Sequence, residues 1–213
     1  MDPHAHWDAV YRQRAPDQVS WFQPEARLSL DFISQANPDR HVSILDVGGG
    51  ASTLVDGLLA LGYEQLTVLD ISGAALQHAR QRLGSAAHRV SWMEADVLRV
   101  GLPAGSIDVW HDRAVFHFLT DAASRHRYVS QVRRLVRPGG HVLVATFAED
   151  GPVRCSGLAV ARYSATDLHG EFGEGFQLLR STREEHVTPG GVRQAFTYCL
   201  CRCDPPQWGR TAA

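Results

Sequence analysis

No apolar run in the 213 residues approaches the ~18 needed to cross a bilayer. The opening, Met1-Asp2-Pro3-His4-Ala5-His6, has neither a basic n-region nor an apolar h-region, so secretion is not expected. Charge of one sign is also lacking: 21 basic residues face 23 acidic ones, for a net charge of -2. That balance gives no broad attraction to nucleic acid or to an anionic membrane. Four cysteines in a chain this long do not make a disulfide framework, and the expected setting is a reducing cytoplasm. Internal repeats and low-complexity tracts are absent. The length suits one domain with a substantial core.

What is present is an alternation of short apolar strands and helix-forming stretches. Strands are expected at 42 to 47, 66 to 70, 90 to 93, 107 to 111 and 141 to 147. Helices are expected at 52 to 61, 72 to 83 and 121 to 136, the second stopped by Gly84 and the third by Pro138-Gly139-Gly140. This order predicts an α/β, Rossmann-like, doubly wound and mostly parallel sheet. Two further strands, 176 to 184 and 194 to 202, flank a turn with Pro189-Gly190-Gly191 and must be antiparallel, because a parallel pair needs a long crossover. Seven strands with a C-terminal antiparallel hairpin result. Three regions follow: 1–41 as a helical lid over cofactor and substrate, 42–203 as the catalytic domain, and 204–213 as a flexible tail. Within the first, Pro24 is expected to open a helix that ends before Asn37-Pro38.

The strongest local signal is Ile44-Leu45-Asp46-Val47-Gly48-Gly49-Gly50, followed by Thr67-Val68-Leu69-Asp70. Strand, glycine turn, helix and a second strand ending on a carboxylate form half of a nucleotide-binding crevice. The spelling is neither G-x-G-x-x-G nor a phosphate loop, and Asp46 suits a positively charged ligand better than a pyrophosphate. Gly48 and Gly50 permit a tight turn with close ligand approach. Asp46 either accepts from turn amides or holds an ammonium, directly or through water. Asp70 is placed for ribose hydroxyls, with capping of the next helix as its alternative.

On these residues the chain resembles class I S-adenosylmethionine-dependent methyltransferases over 42 to 203. The resemblance implies S-adenosylmethionine as cofactor, Ile71 against the adenine, and Asp96 with the Ala95 and Val97 backbone at the adenine amino group. In the family's D-x-G-x-G-x-G pattern the last glycine is here Ser52, which can cap the following helix. The opening His6-Trp7-Asp8-Ala9-Val10-Tyr11 is similar to the Y-W-D-x-x-Y opening of small members, some acting on protein lysines, with His6 as the departure. Trp7 and Tyr11, four apart, would share a helix face and cover the cofactor.

Substrate contacts are expected after the fourth strand, where His111, Asp112 and Arg113 emerge at the sheet edge. Trp110-His111-Asp112-Arg113-Ala114 resembles the W-D-R-G-A segment of thiopurine methyltransferases and parallels the D-K-G-T segment of some elongation-factor lysine methyltransferases. The expected catalytic set is Asp112, Arg113 and His117: Arg113 to orient an acceptor or lower a thiol's pKa, a histidine as base. His111 is assigned to the cofactor side. An Asp112–Arg113 ion pair is the structural alternative, and a helix would put His117 on the face of Arg113. The loop 147 to 158 is read as a pocket wall, with a helix from Ser164.

Cys199, Cys201 and Cys203 share one strand face. With Cys155 they can be counted as a four-sulfur set, but C-x-C-x-C in a strand wraps zinc poorly, and no metal is expected. The leading expectation is methyl transfer to a small soft nucleophile such as a thiol, selenol or heterocycle. The alternatives are a protein lysine methyltransferase, a metalloid methyltransferase or a cofactor-binding protein without transfer. An NAD-dependent oxidoreductase fits the glycine spelling and the antiparallel finish poorly.

Overall fold

A computed structural model describes residues 2–204. Its framework is a seven-stranded sheet in the order β3-β2-β1-β4-β5-β9-β8. The strands are β1 (Ser43–Val47), β2 (Gln65–Asp70), β3 (Val90–Glu94), β4 (Ile107–Arg113), β5 (Val136–Phe147), β8 (Phe176–Val187) and β9 (Arg193–Cys203). A two-stranded ribbon, β6 (Arg154–Cys155) and β7 (Leu158–Ala159), stands apart. The first five strands pair in parallel, whereas β9 runs antiparallel to β5, and β8 to β9. This is the expected Rossmann-like layout with its C-terminal hairpin. Of the expected tail, residues 205–213 lie outside the described residues.

Helices α1 (Pro3–Gln13), α2 (Arg27–Ala36), α3 (Leu54–Ala60), α4 (Gly73–Leu83), α5 (Ala122–Leu135) and α6 (Ala165–Phe172) complete the chain. Leu30, Phe32 and Ile33 of α2, with Leu54 and Leu58 of α3, pack with Ile44, Val109 and Leu143 on one face of the sheet. Tyr128 and Val132 of α5, with Leu168 and Phe172 of α6, pack with Leu45, Trp110 and Val144 on the other. Alternate residues of each strand therefore enter opposite cores. Strand order reverses between β1 and β4, which places a crevice at their C-terminal ends.

Three boundaries differ from expectation. α2 starts at Arg27, not Pro24. The preceding stretch is tied outward instead: Gln23 O accepts from Thr53 Oγ1 at 3.0 Å, and Gln23 Nε2 donates to Glu184 Oε1 at 2.9 Å. β4 runs on to Arg113 because His111, Asp112 and Arg113 keep register with Leu143, Val144 and Ala145. β5 begins at Val136, so Pro138-Gly139-Gly140 lies within the strand, across a register irregularity between Ile107 and Val109.

Candidate active site

The glycine turn leaves β1 at the switch point. Gly48 has φ +65° and Gly50 φ +32°, backbone that favours glycine. A Cβ on Gly48 would overlap Val115, and one on Gly50 would stand 2.5 Å from Asp70 Oδ2. The turn is thus pressed against both sides of the crevice. Its first amide is spent inside the fold, since Gly48 N donates to Leu69 O at 2.7 Å. Ser52 Oγ accepts from Leu54 N at 3.1 Å, the start of α3.

Asp46 is buried beneath this turn. Its Oδ1 accepts from His111 Nδ1 at 2.7 Å, while Oδ2 is buried with no partner. His111 Nε2 reaches Ser29 Oγ on α2 at 2.9 Å. Asp46 and His111 are register partners on neighbouring strands, so both point to the α2 face. A carboxylate oxygen without a donor, beside a cradle that a Cβ would fill, fits an ammonium-bearing ligand.

Asp70, at the end of β2, accepts from Ser72 N at 2.8 Å and also faces the cavity. Burial raises its pKa to about 7 despite that bond, with the charge of Asp46 adding to the effect. Two ribose hydroxyls would add donors to those that the buried carboxylate takes from the backbone. Capping of α4 falls to Ser72, whose Oγ accepts from Ala75 N at 3.1 Å. Ile71, Ala95, Asp96 and Val97 line the same cavity. Asp96 is half-exposed and turns back on its own loop, with Oδ1 accepting from Leu98 N at 2.9 Å.

The cavity has a volume of about 450 Å³ and is walled on the far side by Pro3, Trp7, Tyr11 and Trp21. Helix α1 places Trp7 and Tyr11 one turn apart, as expected. Trp7 packs edge-on against Trp21 and Phe118, and Tyr11 Oη accepts from Trp21 Nε1 at 3.1 Å. Asp8 anchors the helix: its Oδ1 accepts from Ser72 Oγ at 2.6 Å and from Ala74 N at 3.3 Å, at the N-terminus of α4. These bonds hold the Asp8 carboxyl below the usual range, Ser72 contributing most.

The end of β4 differs most from expectation. His111 and Asp112 do not emerge from the sheet; they are 3% and 0% exposed. Neighbouring strand residues face opposite ways, so Asp112 joins the α5 core while Arg113 joins the α2 side. Asp112 Oδ2 accepts from Tyr128 Oη at 2.5 Å, and its Oδ1 accepts from Val115 N at 2.9 Å. Burial raises the Asp112 pKa to about 6 in spite of these donors.

An Asp112–Arg113 pair is therefore excluded, and Arg113 pairs with Glu184 of β8 at 3.3 Å instead. Arg113 Nε also donates to Tyr198 Oη at 2.8 Å, Nη1 to Trp21 O at 3.2 Å, and the guanidinium lies 4.1 Å over the Phe196 ring. Only the three-residue 3-10 helix Phe116–Phe118 follows, too short to align His117 with it as an α-helix would. The chain reverses at Ala114, a non-glycine residue at φ +72°, and His117 sits in a short turn. His117 is wholly buried between Phe118 and Phe147, and burial lowers its pKa to about 3. Of the expected catalytic residues, Arg113 lines the cavity; Asp112 and His117 do not.

Phe118, Leu119, Thr120, Cys155 and Leu158 also line the cavity. Cys155 belongs to the α2-side core and the three β9 cysteines to the other, so the four thiols are not brought together. Burial raises Cys155 to about 11 and Cys199 and Cys201 to about 12. Glu184, Ser29 and Phe118 were not legible as site residues: each reaches the site through a partner more than 70 residues away in sequence. No spacing rule reports such a distance.

Residues 44–140 match the family model of the methyltransferase domain. An eEF1A lysine and N-terminal methyltransferase of Danio rerio is 27% identical over 161 residues, covering 74% of this chain and 23% of that protein. The chain thus spans less than a quarter of that relative's length. EEF1A lysine methyltransferase 2 of Homo sapiens is 24% identical, covering 86% of this chain and 76% of the relative. The crystal structure of the N-methyltransferase NodS from Bradyrhizobium japonicum, in complex with S-adenosyl-L-homocysteine, superposes with a TM-score of 0.68. It is 16% identical and covers 94% of this chain and all of that one.

Proposed function

We propose that this chain is a class I S-adenosylmethionine-dependent methyltransferase that methylates an amine nitrogen, with a protein lysine side chain as the acceptor. The observation that carries the reading is one end of the cavity wall, where Trp7, Trp21 and Phe118 pack together and the Trp21 backbone bonds Arg113. Glu184 already offsets the Arg113 charge, so the end is aromatic and close to neutral. An ammonium can approach aromatic faces through cation–π attraction. Desolvation there lowers its pKa and favours the neutral amine, which is the nucleophile. The likeness to two lysine methyltransferases supports the same acceptor.

Asp46 and Asp70 would hold the two polar ends of the cofactor, and Ile71, Ala95, Asp96 and Val97 its base. When bound, the cofactor supplies a methyl group already activated on a sulfonium. The chain's own task is then alignment and exclusion of water. Helix α1, held by Asp8, serves as the lid over this arrangement. Arg113 positions the acceptor end, whereas Asp112 and His117 support the β4 turn. A small soft nucleophile is the second reading, favoured by Cys155 and Arg113 on the same wall, where a cation would stabilise an acceptor thiolate. The four unpaired thiols support a reducing compartment.

A methyl-labelled cofactor added with the protein to a lysate, followed by separation of protein from small molecules, tests the choice. The sequence contains no lysine, so methyl-lysine recovered from the protein fraction cannot be self-modification. Label on protein lysine supports the first reading; label confined to low-mass species replaces it with the second.

A further inference from the structure

Three buried groups behind the glycine turn have no task in methyl transfer itself. Ser29, His111 and Asp46 are 1%, 3% and 3% exposed and lie on α2, β4 and β1. They form one chain of hydrogen bonds: Ser29 Oγ to His111 Nε2 at 2.9 Å, and His111 Nδ1 to Asp46 Oδ1 at 2.7 Å. A carboxylate only accepts, so Nδ1 carries a proton, and the second ring nitrogen shares a hydrogen bond with the serine hydroxyl. The order of groups is that of an acyl-transfer triad. However, the adjoining cavity of about 40 Å³, which Asp46 and Gly49 also line, admits a group the size of water or an ammonium and not an ester or amide, so Ser29 cannot act as a nucleophile.

What the chain accomplishes is visible at its free end. With Oδ1 taken by His111, the Asp46 carboxylate cannot swing, and Oδ2 stays buried, unpartnered and beside Gly49. Leaving such an oxygen without a donor is unfavourable, a penalty that an arriving N–H group removes. The bonds to His111 and Ser29 determine where that group must stand. α2 supplies the last member, so a helix outside the glycine motif controls the motif's carboxylate.

We infer that Ser29 and His111 are positioning residues that hold Asp46 Oδ2 toward the cofactor's α-ammonium, making this chain select an amino-acid-bearing adenosine over the same nucleoside without that arm. The inference rests on the proposed cofactor reading, and two ligands separate its failure from the failure of that reading. S-Adenosylhomocysteine carries the ammonium, whereas 5′-methylthioadenosine keeps the adenosine and lacks the amino-acid arm.

Calorimetric titration of both ligands into the full chain gives the test. His111→Gln keeps a group near Nε2 but loses the bond to Asp46; affinity for S-adenosylhomocysteine should fall about 10- to 30-fold and that for methylthioadenosine by no more than about 2-fold. His111→Asn keeps an N–H where Nδ1 stands and should restore most of the discrimination. Ser29→Ala, the mildest change, should produce the same selective loss at about 3- to 5-fold. Equal losses for the two ligands, or no loss for either, would overturn the positioning role. A wild type that binds neither ligand overturns the cofactor reading itself.

Discussion

Arg113 Nη2 and Glu184 Oε2 stand 3.3 Å apart across 71 residues of sequence, joining the end of β4 to the outermost strand of the sheet. Their side chains are only 9% and 18% exposed, so the pair is shielded from solvent screening. Tyr198 Oη bridges the two, accepting from Arg113 Nε and donating to Glu184 Oε2 at 2.9 Å. The charge of Arg113 on the cavity wall is therefore offset by a residue outside the parallel strands.

Arg113→Met should lower transfer efficiency by about 10- to 100-fold, corresponding to ~1.4–3 kcal/mol of lost contact at the acceptor. It should also cost ~3 kcal/mol of stability by leaving Glu184 buried and unmatched. Adding Glu184→Gln should recover the stability and leave transfer low. Urea unfolding and methyl-transfer assays on the single and double variants measure the two effects separately. Recovery of transfer along with stability would limit Arg113 to a structural role.

Cofactor binding should weaken as pH falls through about 7. The raised pKa of Asp70, due mainly to burial, means its carboxyl is largely protonated at pH 6 and largely ionised at pH 8. Hydroxyl donors favour the ionised form, so binding lowers the pKa and releases a proton. Affinity for S-adenosylhomocysteine should be about tenfold weaker at pH 6 than at pH 8, the limit for one group with a pKa near 7. Asp70→Asn should bind weakly with a flat profile. Calorimetry in buffers of different ionisation heat reports both affinity and proton release; a flat wild-type profile removes Asp70 from the linkage.

Asp112→Ala should unfold easily yet bind cofactor normally while folded. The substitution strands Tyr128 Oη and the Val115 and Phe116 amides, a loss of roughly 3 kcal/mol or more at ~1–3 kcal/mol per orphaned group. Chemical denaturation should show the loss, and titration well below the midpoint should show affinity within about 3-fold of wild type. A selective loss of transfer in a stable Asp112→Ala protein would return Asp112 to the catalytic set.

Trp7→Ala should open the lid without releasing α1, because Asp8 still anchors the helix on Ser72 and Ala74. Removing the edge contacts to Trp21 and Phe118 takes away ~1–3 kcal/mol, which should appear as roughly a 5- to 150-fold faster cofactor release. Stopped-flow displacement of bound cofactor measures that rate. Unchanged release would place Trp7 outside the gate.

Much of the cofactor side was readable from short segments. The β1–turn–α3 unit depends on a strand running into glycines, and Asp70 is placed by ending the next strand. Both depend on neighbours within a few residues, where backbone geometry and periodicity act. The acceptor side was less legible. Taking Arg113 as the start of a helix paired it with His117, but two more residues of sheet register turn Asp112 to one core and Arg113 to the other.

Sequence alone thus determined the alternating parallel sheet, its antiparallel finish, the glycine cradle and the carboxylates at the ends of β1 and β2, because local sterics and side-chain period dictate each. Tertiary structure decided that Arg113 meets Glu184 and not Asp112, that Ser29 braces Asp46 through His111, and that α1 closes the cavity through Asp8, His4 and the Tyr11 carbonyl. Each of these contacts depends on the register between strands or the seating of a helix on the sheet. Packing of the whole core sets those quantities, and no local pattern in the chain encodes them.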